Sequence, residues 1–201
     1  MKKNIVSKKT KKTILKKKVS FVDIGCGANK IAPHWFGIDY RALPGVDLVQ
    51  NLEKFPWKIP SESFDTAASS HVIEHINPAQ GIFIKFMNEV WRSLKPGGEF
   101  IIGCPYATSV GMFRDPTHVN FINEETFSYF DPQDQLYNGA LYHIYAPLPW
   151  KIKINTWHVT GNMEVVLVKR DIRPEYNVDK QYLKDLKKYT ASTKSIKTKK
   201  K

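Results

Sequence analysis

A chain of 201 residues has the length of one ordinary domain, and its hydrophobic content of 42% is enough to build a buried core. No apolar run approaches the roughly 18 residues of a membrane-spanning helix, and no apolar segment follows the N-terminal lysines as it would in a secretory signal. Two cysteines are too few for a disulfide framework. The sequence therefore predicts a cytoplasmic protein with no membrane partner.

The net charge of +12 is concentrated at the two ends of the chain. Residues 1–18 hold nine lysines and no acidic residue, and residues 180–201 hold nine lysines and one aspartate. Such tails either bind phosphate backbones without reading their sequence, or remain disordered and solvated. We expect a disordered basic tail at 1–18, a folded domain at 19–170 and a lysine-rich C-terminal tail at 171–201. Nucleic acid is a candidate partner of these tails.

Short apolar segments bounded by turn residues predict seven strands. In chain order they cover residues 19–24, 35–38, 46–49, 64–68, 99–104, 151–159 and 163–169. Apolar residues at helical spacing predict a helix over 78–94, capped by Asn77 and ended by the Pro-Gly-Gly sequence that follows. A shorter helix is predicted over 124–130, within an aromatic-rich insertion at 106–150. This order predicts an α/β fold with a mostly parallel sheet and a C-terminal antiparallel hairpin.

Residues suited to a nucleoside follow the first three predicted strands. In an open α/β sheet, ligands bind outside the carboxyl ends of the strands. Gly25-Cys26-Gly27 forms a turn after the first strand, where glycine lets the backbone approach a ligand closely. Asp39 ends the second strand and can accept hydrogen bonds from both hydroxyls of a ribose. Asn51 and Leu52 follow the third strand and can contact an adenine edge.

Together these segments resemble the class I S-adenosylmethionine-dependent methyltransferases, in their small-molecule-type group. The resemblance covers about residues 19–105 and rests on VDIGCG (22–27), GIDY (37–40), FD (64–65), SSHVIEHI (69–76) and LKPGGEFII (94–102). It implies a Rossmann-like sheet with S-adenosylmethionine as the cofactor. Only eleven residues separate Gly27 from Asp39, so the first crossover is shortened and lacks the full helix of the family.

The resemblance also implies which residues surround the cofactor. Asp23, Gly25, Cys26 and Gly27 would surround its methionine part, and Asp39 would hold the ribose. Asn51 and Leu52 would face the adenine, and His71 would lie beside the cofactor after the fourth strand. Tyr40 completes the predicted cofactor-binding residues.

The predicted catalytic residues are His118, Glu74 and His75. Methyl transfer needs the acceptor held in line, together with a base or a metal that makes it nucleophilic. His118 is the predicted general base, because histidine titrates near neutral pH. The same residues are similar to the ligands of metal-dependent O-methyltransferases with Glu-x-x-Glu-His, but His71 occupies the first glutamate position. A divalent metal is therefore an alternative, and the favoured prediction is a site without metal.

The sequence predicts an S-adenosylmethionine-dependent methyltransferase acting on an unidentified small-molecule or hydroxyl-bearing acceptor. The alternative is a non-catalytic domain of the same fold that binds nucleic acid through its lysine-rich tails. A dinucleotide oxidoreductase would carry a third glycine where this chain has Lys30. The sequence His71-x-x-Glu74-His75 also matches an inverted zinc-protease motif, which requires a long helix in place of a strand end.

Overall fold

The computed structural model describes residues 19–194, with side chains described up to residue 188. The predicted basic tail at 1–18 lies outside the described residues. Seven strands of the described chain form one sheet in the order β3-β2-β1-β4-β5-β7-β6. They are β1 (Phe21–Ile24), β2 (Phe36–Asp39), β3 (Leu48–Val49), β4 (Phe64–Ser70), β5 (Leu94–Pro105), β6 (Trp150–Trp157) and β7 (Asn162–Lys169).

Strand pairing confirms the predicted fold class. The first five strands pair in parallel, whereas β7 lies antiparallel between β5 and β6. The chain is thus an α/β protein with a Rossmann-like, mostly parallel sheet and a C-terminal antiparallel hairpin. The crossover from β1 to β2 consists of turns and bends, which confirms that it is shortened. No helix of the described part is long and apolar enough to cross a membrane.

Four α-helices accompany the sheet in the described residues. They are α1 (Ile82–Ser93), α2 (Val110–Arg114), α3 (Tyr142–Tyr145) and α4 (Lys180–Lys194). Residues 171–178, which the sequence places in the C-terminal tail, bring Tyr176 and Val178 into the buried core. The described part of the lysine-rich segment then forms α4, and Leu183 and Leu186 of this helix pack against the core.

The helix predicted over 78–94 begins later than the sequence indicates. Asn77 Oδ1 accepts the Ala79 N–H at 2.8 Å, so this side chain closes a turn before the helix. Gln80 and Gly81 then have positive φ angles of 54° and 67°, which break the helical path before α1. Beyond this break, the apolar side of α1 is buried in the core, as its spacing predicts.

Two other predicted boundaries are corrected. Strand β5 begins at Leu94, directly after α1, so the Lys95-Pro96-Gly97-Gly98 sequence lies within the strand. Leu94 pairs with Phe64 of β4, and a register shift separates this pair from the rest of the ladder. The helix predicted over 124–130 is a single 3-10 turn, Thr126–Tyr129. Asn123 Oδ1 caps the start of this turn by accepting hydrogen bonds from the backbone N–H groups of Glu125 and Thr126. Capping of so short a segment does not lengthen it into a helix.

Lys169, at the end of β7, is a buried amine whose ionisation depends on pH. Its Nζ donates to the Leu94 carbonyl at 2.7 Å and lies 3.8 Å from the centre of the Trp91 ring. Burial lowers the pKa of this amine from 10.5 to about 8. The folded state therefore gives up this proton well below the pH at which the unfolded chain does.

We expect the stability of the wild type relative to Lys169→Met to increase between pH 8 and pH 10.5. In that range the unfolded chain binds a proton that the folded chain has released, so raising the pH favours folding. The shift of the Lys169 pKa from 10.5 to about 8 corresponds to about 3 kcal/mol. Urea unfolding of both proteins across this range measures the difference. A difference that does not change with pH would contradict the assigned burial.

Candidate active site

The carboxyl ends of the first four strands meet at one edge of the sheet, because these strands are parallel neighbours. The segments that follow them line a cavity of about 650 Å³. Six predicted cofactor-binding residues lie on its wall: Gly25, Asp39, Tyr40, Asn51, Leu52 and His71. The other three, Asp23, Cys26 and Gly27, lie outside this lining.

The turn after β1 is a tight bend that requires glycine. Gly25 and Gly27 have φ angles of 75° and 57°, in the left-handed region that glycine adopts without strain. A Cβ atom at Gly25 would overlap the side chain of Val72, so the turn lies directly against the segment after β4. The N–H groups of Gly25 and Cys26 donate to the Ile38 carbonyl at 2.7 and 3.1 Å, which ties the turn to β2.

Asp23 of β1 and Cys26 within the turn are both buried. Asp23 is 3% exposed, and its Oδ2 accepts the Ile31 N–H at 2.8 Å, which holds the short crossover against β1. Burial raises the pKa of the Asp23 carboxyl. Burial also raises the pKa of the Cys26 thiol to about 11, and the nearby Asp23 and Asp39 carboxylates add to the shift. Cys26 is therefore a neutral, packed thiol that supports the turn.

Asp39 presents a carboxylate at the cavity wall. It is 3% exposed, its Oδ2 accepts the Gly27 N–H at 2.9 Å, and its Oδ1 accepts the Arg41 N–H at 2.9 Å. A longer bond of 3.3 Å comes from Nε of Arg41, whose side chain is half exposed. A carboxylate has about four acceptor positions. Displacement of the Arg41 side chain would leave two of them for a ligand with two adjacent hydroxyls.

Asn51, Leu52 and Tyr40 form the outer part of the same cavity. Asn51 Oδ1 accepts the Glu53 N–H at 2.8 Å, so the amide nitrogen is the group that can donate to a ligand. Leu52 is buried, and its carbonyl accepts a hydrogen bond from the Trp57 indole at 3.0 Å, which fixes the backbone here. The Tyr40 ring is exposed, with the Arg41 guanidinium 5.2 Å from its centre.

His71 lies where this cavity meets a second one. Its φ angle of 54° is unusual for a residue with a side chain, and such strain is commonly found at functional sites. The His71 N–H donates to the Gly103 carbonyl at 2.8 Å, which anchors this conformation to β5. Its imidazole Nδ1 lies 3.3 Å from Glu74 Oε1.

The second cavity, of about 790 Å³, lies at the carboxyl end of β5 and beside the turn of the β6–β7 hairpin. The rings of Tyr106 and Trp157 stack with their centres 5.0 Å apart and border it. His71, His75 and Asp115 line both cavities, so the two spaces adjoin at these side chains. The first part of the aromatic-rich insertion therefore forms a wall of the second cavity.

The three predicted catalytic residues come together between the cavities. Glu74 and His75 belong to a 3-10 turn after β4, Ile73–His75, and His118 reaches them from the insertion. The His75 and His118 rings are 4.7 Å apart, and His118 Nε2 lies 3.9 Å from Glu74 Oε1. Glu74 is 0% exposed, and neither of its carboxylate oxygens has a hydrogen-bond partner among the described residues.

Two residues outside the predicted catalytic set, Asp115 and Thr117, hold this cluster. Asp115 Oδ1 accepts the Thr117 hydroxyl at 2.7 Å, and the Thr117 oxygen lies 3.0 Å from His75 Nδ1. The sequence Asp115-Pro116-Thr117-His118 carries a signal for this contact, since aspartate often bonds the backbone two residues on. That bond is present, from the Thr117 N–H at 2.8 Å. The sequence alone does not show which strand end this turn meets.

Comparison with known proteins agrees with this geometry. Residues 22–102 match the model of a family described as a methyltransferase domain. No curated protein sequence matches the chain significantly. The resemblance to class I S-adenosylmethionine-dependent methyltransferases is thus confirmed for the fold and the domain. Residues 22–102 are therefore similar to a methyltransferase domain, in agreement with the resemblance drawn from the sequence.

Several solved structures are similar to this chain at low sequence identity. A 16S rRNA (adenine(1408)-N(1))-methyltransferase from Catenulisporales acidiphilia is 15% identical, with a TM-score of 0.52 over 80% of this chain and 91% of that one. A SAM-dependent methyltransferase from Methanosarcina mazei is 17% identical, with a TM-score of 0.49 over 75% and 92% of the two chains. One from Archaeoglobus fulgidus is 15% identical, with a TM-score of 0.48 over 74% and 85%.

Proposed function

We propose that this protein transfers the methyl group of S-adenosylmethionine to a hydroxyl-bearing small molecule. The observation that carries the proposal is the junction of two cavities at His71, His75 and Asp115. One cavity has a glycine turn and a buried carboxylate at its strand ends, and the other adjoins it. Methyl transfer by direct displacement needs such neighbouring spaces, because donor and acceptor must be held in line.

The residues of the first cavity fit an adenosyl group. The left-handed glycine turn lets the backbone approach a ligand closely, and Asp39 offers carboxylate oxygens to the ribose hydroxyls. Asn51 and Leu52 would flank the adenine, with Tyr40 at the outer edge and His71 towards the second cavity. When bound, S-adenosylmethionine supplies a methyl group attached to a positively charged sulfur.

The residues of the second cavity would hold and activate the acceptor. The stacked Tyr106 and Trp157 rings offer an apolar wall, and Ser109 and Arg114 add polar groups. Because the cofactor supplies the methyl group, the task left for side chains is to make the acceptor oxygen nucleophilic. We assign this task to Glu74, His75 and His118.

Replacing His118 with alanine is expected to lower turnover by about 100-fold to 10,000-fold, the usual range for loss of acid–base assistance. Affinity for S-adenosylhomocysteine should remain within a few-fold, because His118 lines the second cavity. His143→Ala is the matched control, since His143 is an exposed histidine of the same insertion. Turnover of His118→Ala equal to that of the control would remove His118 from the mechanism.

Formation of S-adenosylhomocysteine over a panel of phenols, catechols and sugar alcohols tests the proposed acceptor class. We expect turnover with at least one such compound, and none with Asp39→Ala at subsaturating cofactor. Turnover that occurs only with RNA, DNA or protein would overturn the small-molecule assignment. Failure to bind the cofactor would overturn the proposed function as a whole.

The alternative, a non-catalytic domain that binds nucleic acid through its tails, is motivated by the nine lysines in residues 1–18. Removal of residues 1–18 and 189–201 tests it without cutting into Leu183 and Leu186, which pack against the core. Salt-sensitive RNA binding that this truncation abolishes, in a protein without cofactor affinity, would favour the alternative. If the chain is the proposed methyltransferase, the truncated protein should keep its affinity for the cofactor.

A further inference from the structure

The carboxylate of Glu74 is buried without a hydrogen-bond partner among the described residues. It is 0% exposed, and no described donor forms a hydrogen bond with either oxygen. An ionised carboxylate without hydrogen bonds is strongly unfavourable when it is removed from water. Two imidazole nitrogens lie close to Oε1, His71 Nδ1 at 3.3 Å and His118 Nε2 at 3.9 Å.

The hydrogen bonding of His118 directs a lone pair towards this carboxylate. Its Nδ1 lies 2.9 Å from the Met112 carbonyl oxygen. A carbonyl only accepts hydrogen bonds, so Nδ1 carries the proton and neutral His118 has its lone pair on Nε2. In metal-binding histidines, the ring nitrogen that does not face the metal commonly donates its hydrogen to a carboxylate, a backbone carbonyl or water. The Met112 carbonyl can have this role for His118.

His75 is arranged in the same way through Thr117. The Thr117 hydroxyl donates its one proton to Asp115 Oδ1 at 2.7 Å. Its oxygen can therefore only accept from His75 Nδ1, which lies 3.0 Å away. Nδ1 of His75 thus carries the proton, and the lone pair of the neutral ring is on Nε2. The hydrogen bonds to Met112 and Thr117 thus leave a lone pair on Nε2 of both neutral rings.

We propose that Glu74, His75 and His118 form a binding site for a divalent transition-metal cation. One candidate ligand atom from each residue lies within 4.8 Å of the other two. Metal–ligand bonds of about 2.0–2.2 Å require a small further approach of these atoms. Two imidazole nitrogens and one carboxylate oxygen suit ions such as Mn²⁺, Co²⁺ and Zn²⁺. This proposal departs from the metal-free site that the sequence favoured.

The position of the cluster suggests a catalytic role for the cation, and this role rests on the proposed function. His75 lines both cavities, and His118 lines the second. A divalent cation beside an acceptor hydroxyl lowers its pKa, so that the oxygen becomes nucleophilic near neutral pH. His118 would then act as a ligand of the cation in place of acting as a free base.

Calorimetric titration of the chelator-treated full chain with MnCl₂ and CoCl₂ tests the site without any assay of activity. We expect one ion per chain and, with Co²⁺, a visible absorption band from the bound ion. Glu74→Gln and His118→Ala should each weaken binding by at least about 100-fold, whereas the exposed control His143→Ala should leave it unchanged. No saturable binding, or binding that both site variants retain, would overturn the proposal.

Thermal unfolding separates a metal ligand from a structural carboxylate. A carboxylate that awaits a cation is unfavourable in the metal-free fold, so Glu74→Gln should melt at the same temperature or higher without metal. It should also lose the rise in melting temperature that Mn²⁺ gives the wild type. A lower melting temperature of metal-free Glu74→Gln, with no effect of Mn²⁺ on the wild type, would assign Glu74 a structural role.

Titration with S-adenosylhomocysteine keeps this proposal separate from the proposed function. A chain that binds the nucleoside but no cation retains the function and loses the metal site. A chain that binds the cation but no nucleoside retains the metal site and loses the function.

Discussion

Replacing Asp39 with alanine is expected to weaken S-adenosylhomocysteine binding by about 100-fold to 1,000-fold. A hydrogen bond to a charged group contributes about 1.5–3 kcal/mol, and a ribose offers two hydroxyls to this carboxylate. The substitution also removes the acceptor of the Gly27 N–H, which loosens the turn after β1. Calorimetric titration of the wild type and the variant measures the loss directly.

Two further variants make this result specific to the carboxylate. Asp39→Asn keeps one acceptor oxygen and should bind with intermediate affinity. Asp65→Ala removes a carboxylate at the opposite end of β4, where it pairs with Lys95 on the surface, and should bind as the wild type does. A folded Asp39→Ala protein whose affinity lies within threefold of the wild type would place the ribose elsewhere.

Replacing Glu89 with alanine is expected to destabilise the fold by about 3–5 kcal/mol, because it removes the carboxylate that pairs with the buried guanidinium of Arg92. Glu89 and Arg92 are 7% and 3% exposed, and Nε and Nη2 of Arg92 donate to the two Glu89 oxygens at 2.9 and 2.8 Å. Glu89 Oε2 also accepts the Trp57 N–H at 2.7 Å. The pair thus joins α1 to the segment between β3 and β4.

Urea unfolding of Glu89→Ala measures this effect, and Asp65→Ala is again a useful control. The Asp65–Lys95 pair is about half exposed on both sides, so its loss should cost at most about 1 kcal/mol. The side-chain hydrogen bond to Lys95 lowers the pKa of Asp65, and water screens this interaction. A similar decrease in the free energy of unfolding in the two variants would contradict the view that burial makes the Glu89–Arg92 pair important.

The sheet could be predicted from the sequence because its strands are short apolar runs that end in turn residues. The late hairpin followed from two such runs separated by a glycine turn, and Gly161 has the positive φ angle of 89° that this turn uses. The start of α1 could not be predicted, because Asn77 and Pro78 suit a helix start whereas the backbone conformations of Gln80 and Gly81 break the helical path. That break depends on local hydrogen bonding at Asn77.

The strand-end cavity could be predicted from topology, since parallel strands bring Gly25, Asp39 and Leu52 to one edge. The sequence also grouped Glu74 with His118, but the contact that brings them together could not be derived from its pattern. It depends on the path of the insertion, which is fixed by backbone hydrogen bonds from Val119 and Asn120 to the Glu74 carbonyl at 2.9 and 3.0 Å. No periodicity in the sequence encodes the contact between Glu74 and His118. The burial of Glu74 goes together with that contact.

Calorimetric titration of the wild-type chain with S-adenosylhomocysteine tests most directly whether the strand-end cavity holds an adenosyl group. One bound nucleoside per chain, displaced by S-adenosylmethionine, is the expected result. A folded sample that releases no heat with about 1 mM nucleoside, where even weak binding of about −4 kcal/mol would be detected, would contradict it.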